Sequence, residues 1–366
     1  MKPIALLFSD AHLRRDKFDT FFAFEQIVNT AIEHNIPLIG AGDLIDKQTN
    51  RATTIVFLAE QLQRLRKEKL KLYHVQGQHE YDVVPWLNVA SNAVHIHKKE
   101  VTIGDFSFYG LDWQPFGILQ DELSEIPDTA NFLVCHQVWS DWMGDVAAPQ
   151  GSMAQIPGHI KYVQSGDLHQ WKLEKRKNAD GEKMLVLSCG ATTKQKIDEP
   201  DKHYYALLYP DGKITQQTLR SRVMIDCSLI NRPEDVDIFM SELEPVLAAA
   251  AQKAEALELP EVMRKPYMRV TYSSKLPETV RRIEKAVAER ALLFFKQLLP
   301  AEKLAAYKAS KITTDDTAVT PLSVLGEELD KEEHPEVYGL VSRLLQTSEP
   351  EVEFAKWRSE FLGENA

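Results

Sequence analysis

The run Ile36-Pro-Leu-Ile-Gly-Ala-Gly-Asp43 constrains the fold more than any other stretch, because a short apolar segment stops at a glycine and delivers an aspartate. A segment of that length and ending reads as a buried strand whose carboxyl end opens onto a sheet edge, where loops collect ligand-binding groups. The ending recurs along the chain. Ile4 to Phe8 leads into Ser9-Asp10-Ala11-His12, and Leu72 to Val75 leads into Gly77-Gln78-His79-Glu80. Phe132 to Cys135 is followed by His136-Gln137, and Tyr162 to Ser165 by Gly166-Asp167-Leu168-His169. Any one of these histidines alone reads as a structural or surface residue. Five strand ends carrying Asp, His or Gln at one sheet edge read as a binding site.

The intervals support an α/β layered domain. Phe18 to His34 and Arg51 to Lys67 have helical spacing, as in Phe21, Phe24, Ile27 and Ala31, while Ala93 to His95, Phe106 to Gly110 and Met184 to Ser188 are further strand candidates. Tyr204 to Leu208, the Pro210-Asp-Gly turn and Lys213 to Thr218 predict a hairpin. After Arg222 the pattern restarts. Val223 to Leu229, Met268 to Tyr272 and Ala291 to Leu299 alternate with helices over Pro233 to Leu257 and Pro277 to Arg290, a compact β-α-β-α-β module. Lys311 to Glu333 is polar and acidic and reads as a linker. Beyond it, Val337, Leu340, Val341, Leu344 and Leu345 form one apolar stripe and Phe354, Trp357 and Phe361 suggest another. Two such helices either dock a partner or pack back on the body. The predicted division is residues 1–222, 223–310 and 311–366.

No apolar run approaches the roughly 20 residues of a membrane span, and Met1-Lys-Pro-Ile-Ala-Leu-Leu-Phe reads as a first strand rather than a signal peptide, so the expected location is the cytoplasm. Cys135, Cys189 and Cys227 lack metal-type spacing and read as buried thiols. The formal net charge of -11 argues against coating nucleic acid by bulk electrostatics, though not against a nuclease whose cations supply local positive charge. Arg14, Arg15 and Lys17, or Lys172, Lys175, Arg176 and Lys177, are basic clusters able to meet a phosphate backbone. The stretch from Lys172 to Lys183 has the pattern of a hairpin tip, so its lysines read first as a solvated face.

Oxygen and imidazole groups without cysteine suit hard or borderline divalent cations, and there are enough of them for two. Paired cations sharing one carboxylate support in-line phosphoester hydrolysis without a covalent nucleophile, and no serine or cysteine elbow is visible. Asp10-x-His12, Gly42-Asp43-x-x-Asp46, Gly77-Gln78-His79-Glu80, His136 and Gly166-Asp167-x-His169 resemble the ordered motifs of calcineurin-like metallophosphoesterases. Within that superfamily the chain most resembles SbcD-type DNA repair nucleases, through the stretch ending at Gln170, the hairpin after it and the β-α-β-α-β module, which corresponds to that family's capping domain.

The resemblance implies a layered metallophosphoesterase sandwich with a smaller α+β cap and C-terminal helices. It implies that Asp10, His12, Asp43 and His169 hold a first ion, and that Asp43, Gln78, His136 and Asp167 hold a second, with Asp43 bridging. His79 takes the place of the family's acid or transition-state histidine. Asp46 fixes a loop or a ligand histidine, or else is a helix N-cap or turn aspartate. Two departures fall at the second ion: the family usually has asparagine at Gln78 and histidine at Asp167. Either this makes a harder, more negative site favouring Mn2+, with Mg2+ as the alternative, or it weakens the second site. Glu80 stands where aspartate is usual, a milder change. The implied function is a DNA nuclease subunit working with an SbcC-like, coiled-coil ATPase of SMC type bound through the C-terminal helices, as a homodimer and without a membrane. The other readings are a stand-alone phosphodiesterase on nucleotides and a catalytically weakened scaffold.

Overall fold

The computed structural model describes residues 1–298 except 15–16, 47–50, 81–92, 116, 144–150, 196–198, 228–229, 231–232 and 274–276. The predicted linker and the two C-terminal stripes lie outside the described residues. Among those described, no helix is long and apolar enough to cross a membrane.

Two six-stranded mixed sheets build the main body. In chain order the strands are β1 Ala5–Phe8, β2 Leu38–Ala41, β3 Leu72–Val75, β4 Ala93–His95, β5 Glu100–Ile103, β6 Phe106–Leu111, β7 Phe132–His136, β8 Tyr162–Gly166, β9 Lys172–Lys177, β10 Lys183–Ser188, β11 His203–Leu208 and β12 Ile214–Leu219. One sheet runs β12-β11-β1-β2-β3-β4 and the other β5-β6-β7-β8-β10-β9. Strands β1 to β4 are mutually parallel, as are β6, β7, β8 and β10. The carboxyl ends within each parallel set therefore share an edge.

The two-residue period of a strand sorts its side chains into layers. Ala5 and Leu7 join Ile39, Phe108, Phe132, Val134 and Leu208 in a core lined by both sheets. Leu6 and Phe8 face the other way and meet helices α1 (Phe18–His34) and α2 (Arg51–Lys67) through Phe24, Ile27, Leu58 and Leu62. On the other sheet, Leu133, Cys135, Val163 and Val186 pack against Leu119, Leu123, Trp139 and Met153. Burial on both faces explains why these strands read as continuous apolar runs rather than alternating ones. The result is the expected layered α/β sandwich.

Residues beyond Arg222 form a three-stranded sheet of β13 (Met224–Asp226), β14 (Tyr267–Ser273) and β15 (Leu292–Leu298), flanked by helices Pro233–Ala256 and Pro277–Val287, around Val236, Leu243, Met268, Val270 and Ile283. A buried ion pair fastens this sheet to α1. Arg222 Nε donates to Asp19 Oδ1 at 2.9 Å, Tyr267 Oη donates to Asp19 Oδ2 at 2.6 Å, and Phe22 packs with Val223, Ala250 and Met263.

Two expectations are corrected. Lys172 to Lys183 does belong to a hairpin, but Lys172–Lys177 is its first arm, paired antiparallel with Lys183–Ser188, so the tip is confined to residues 178–182; on that arm Lys172 lies over the Trp142 ring and Arg176 pairs with Glu174. Cys227 falls just past β13 and is only half-buried, whereas Cys135 and Cys189 are buried.

Candidate metal centre

The parallel strands deliver their terminal residues to a common region. Asp10, His12, Asp43 and Asp167 all have left-handed backbone, with φ of 50°, 42°, 51° and 74°. Such conformations are uncommon outside glycine, and four in one cluster mark a site whose geometry is held by its surroundings. Close packing demands glycine beside them. A Cβ on Gly77 would lie 2.0 Å from Asp43 Oδ1, and one on Gly166 would lie 2.3 Å from His136 Nδ1.

Asp43 is central. Its Oδ1 accepts from the His79 backbone N–H at 3.0 Å, which turns Oδ2 toward three imidazoles: His136 Nε2 at 3.5 Å, His12 Nε2 at 3.8 Å and His79 Nε2 at 3.9 Å. On one side, His12 Nε2 and His169 Nε2 approach to 3.2 Å, and His169 Nε2 lies 3.9 Å from Asp10 Oδ1. On the other, His136 Nδ1 donates to Ala41 O at 2.7 Å, which leaves Nε2 facing the carboxylates. Three groups have their ligating atoms within 4.8 Å of one another: Asp10, His12 and His169; Asp10, Asp43 and His136; and His12, Asp43 and His79. The third brings in His79, which the sequence reading placed outside the ligand set.

The remaining predicted residues are placed as follows. Gln78 Nε2 donates to Asp167 Oδ1 at 2.9 Å, so the two departures from the family pattern touch each other across 89 residues of chain. The Asp167 N–H donates to Asp10 Oδ1 at 3.0 Å. Asp46 lies 3.7 Å from His79 Nδ1 through one oxygen and accepts from Arg14 Nη1 at 3.3 Å through the other. Glu80 accepts from the Ile45 and Gly77 N–H groups, joining the loops after β2 and β3.

Burial and mutual charge set the protonation balance. Desolvation raises Asp10, and Asp43 stays low despite its own burial because His136, His12 and His79 surround it. Burial holds His12 down at about 3. It also works against His136, yet the carboxylates of Asp43, Asp10 and Asp167 push that imidazole up to about 10. Burial pushes Glu80 up to about 8. His79 is raised chiefly by Asp46, and His169, against its burial, by Glu199.

The unpaired atoms of the donor set fit divalent cations. Asp10 Oδ2, Gln78 Oε1 and His136 Nε2 are buried and make no hydrogen bond among the described residues. Such atoms are costly to bury unless something else satisfies them. His12 Nε2 and His169 Nε2, 3.2 Å apart, suit a shared cation in the same way.

Two supporting residues were not read from the sequence. Glu199 Oε1 accepts from His169 Nδ1 at 2.7 Å, the carboxylate–histidine arrangement that aims the other ring nitrogen at a metal. Its Oε2 accepts from Gln195 N at 2.5 Å. Asp112, at the end of the β6 strand, bonds the loop that carries Gln78. Glu199 follows no strand-like run, whereas Asp112 stands two residues past Gly110, at the end of the predicted strand Phe106 to Gly110.

No protein-family profile matches the chain. It is 24% identical over 230 residues to YhaO of Bacillus subtilis (strain 168), an uncharacterized metallophosphoesterase, an alignment covering 57% of this chain and 54% of that protein. The chain thus spans about half the length of the curated relative it matches. This similarity, with the sandwich of two mixed sheets, supports the metallophosphoesterase superfamily.

Proposed function

We propose that the chain is a metal-dependent phosphodiesterase acting on DNA. The observation that carries the hydrolase is Asp43, whose Oδ2 sits among His12, His79 and His136 with unpaired ligand atoms on either side. In this reading Asp10, His12, Asp43 and His169 hold one divalent ion, and Asp43, Gln78, His136 and Asp167 hold another. When bound, such a pair supplies Lewis acidity and activates water for in-line attack on phosphorus.

The chain's own residues do the rest. The His79 N–H fixes one Asp43 oxygen, and the Ala41 carbonyl and Glu199 carboxylate hold the His136 and His169 rings by their Nδ1 atoms. His79, about one-third exposed, is the most exposed of the four imidazoles of the centre. As water oxygen bonds to phosphorus and the bond to the leaving oxygen breaks, His79 donates to that oxygen and the products are a phosphomonoester and an alcohol. Asp46, held by Arg14, keeps the ring turned toward the centre.

The word DNA rests on the SbcD-type resemblance and on the three-stranded module clamped to α1 by Asp19, which as a cap would help select or open a duplex. An ATPase partner of SMC type, docking on residues 337–361, and a homodimer belong to the same reading. The test is cleavage of linear duplex and single-stranded DNA by Mn2+-loaded protein, with and without such a partner, beside a small model phosphodiester. Cleavage of all three is expected. Turnover of the model ester with both DNAs left intact would reject the nuclease and leave a small-molecule phosphodiesterase.

A further inference from the structure

Asp112 lies outside the ligand set but grips the loops on one side of it. The residue is 4% exposed. Oδ1 accepts from the Gln76 backbone N–H at 2.8 Å, and His95 Nε2 donates to the same carboxylate, 2.8 Å from Oδ1 and 2.9 Å from Oδ2. The backbone around it is equally engaged. Trp113 N donates to Gln76 O at 2.8 Å, so Gln76 is held at both its donor and its acceptor. The Asp112 carbonyl accepts from Gln137 Nε2 at 3.0 Å, and its N–H donates to His97 Nδ1 at 3.1 Å.

Gln76 is two residues before Gln78, and Gln137 directly follows His136. One residue therefore ties together the loops that present Gln78 and His136, and it does so across the sandwich: β3 and β6 belong to different sheets. The topology explains the need. Strand β4 pairs with β3 only as far as His74↔His95, so the Gln76 N–H has passed the end of that ladder. A buried N–H there needs another acceptor, and a carboxylate can accept from it and from His95 at once. On the Asp10–His12–His169 side the device is different, since Glu199 bonds a ligand ring directly.

We propose that Asp112, oriented by His95, is the positioning residue for the half of the centre that takes Gln78 and His136. This rests on the two-ion reading above. It assigns Asp112 no contact with substrate or ion; the residue acts through where it sets the Gln78 amide.

The test is Mn2+ titration of the full-length wild type and of Asp112→Asn, His95→Gln and Glu199→Gln, read as two separate affinities by calorimetry. Asp112→Asn removes the charge that lets one group serve both donors, and should weaken the second ion by about 10- to 100-fold while leaving the first within about 2-fold. His95→Gln keeps the carboxylate and should weaken the same ion less; it carries the prediction if Asp112→Asn fails to fold. Glu199→Gln should weaken the other ion. A merely structural Asp112 would lower both affinities together or neither, and either result overturns the proposal, as does finding that Asp112→Asn and Glu199→Gln weaken the same ion. A wild type that saturates at one Mn2+ per chain, visible before any variant is made, overturns the two-ion reading and this proposal with it.

Discussion

In the proposed two-ion reading the two halves of the centre share Asp43, and their residues are placed differently. In the Asp10–His12–His169 half every group is short or ring-bound, and the ligating atoms already lie within 4.8 Å of one another. In the Gln78–His136–Asp167 half, the longer amide reaches across and bonds the shorter carboxylate at 2.9 Å, with its oxygen left over. The two departures from the resembled pattern are thus in direct contact. The Gln78 amide nitrogen donates to Asp167 and its oxygen stays unpaired among the described residues, while Asp167 belongs to none of the three groups whose ligating atoms lie within 4.8 Å of one another. A comparison made one residue at a time misses this contact, because each position is then judged without its partner.

The comparison breaks most completely at its shared member. Asp43→Asn should reduce turnover of a model phosphodiester by on the order of 1,000-fold and weaken Mn2+ binding in both halves, since one oxygen faces three imidazoles and neither half is complete without it. Loss confined to one Mn2+ in the titration would mean that Asp43 does not bridge.

His136→Ala should act on one half only. Its ring is fully buried and fixed by the Ala41 carbonyl, so its loss should cost turnover about 100-fold while one Mn2+ per chain remains tightly bound. Loss of both ions on metal analysis would instead make the halves a single cooperative unit.

A double-substitution cycle tests whether Gln78 and Asp167 are one change. Gln78→Asn leaves Asp167 Oδ1 without its donor, and Asp167→His leaves the Gln78 amide nitrogen facing an imidazole, so each alone should weaken the second ion about 10-fold. The pair together should recover affinity, with a coupling of about 1–3 kcal/mol. Additive losses in the calorimetric affinities would show that the two positions departed from the pattern independently.

What was legible in the sequence follows the same division between local and distant. The helices 18–34 and 51–67 lie where their apolar period predicts, but the five strand endings do not share the one sheet edge expected of them: β1, β2 and β3 end in one sheet and β7 and β8 in the other, and the endings meet because the two sheets pack face to face. Strand β5 gave no apolar run, since Glu100–Ile103 sits at a sheet edge with alternate residues exposed. Of the expected strand Val223 to Leu229, Met224–Asp226 pairs with β14, and residues 228–229 lie outside the described residues. Glu199 and Asp112 were missed for a stronger reason. Each acts on a residue at least 30 positions away, and residue type alone does not distinguish it from the chain's other carboxylates.

The smallest expected effect belongs to Arg14, and it tests whether His79 stands outside both halves. Arg14 is partly exposed and holds Asp46 at 3.3 Å, while the other Asp46 oxygen faces His79 Nδ1 at 3.7 Å. An ion pair with one partner open to solvent contributes about 1 kcal/mol or less, so Arg14→Ala should let Asp46 drift and lower kcat no more than about 5-fold. Both Mn2+ affinities should stay at their wild-type values, because Arg14 acts through Asp46, which is not a proposed ligand. The informative result is the split between kcat and metal content. If Arg14→Ala weakens one ion, His79 is a ligand in the sense of its cluster with His12 and Asp43, and the acid must be sought elsewhere. If only kcat falls, the Arg14–Asp46–His79 chain orients the proton donor, and the halves differ in how they hold a cation rather than in how they treat the leaving group.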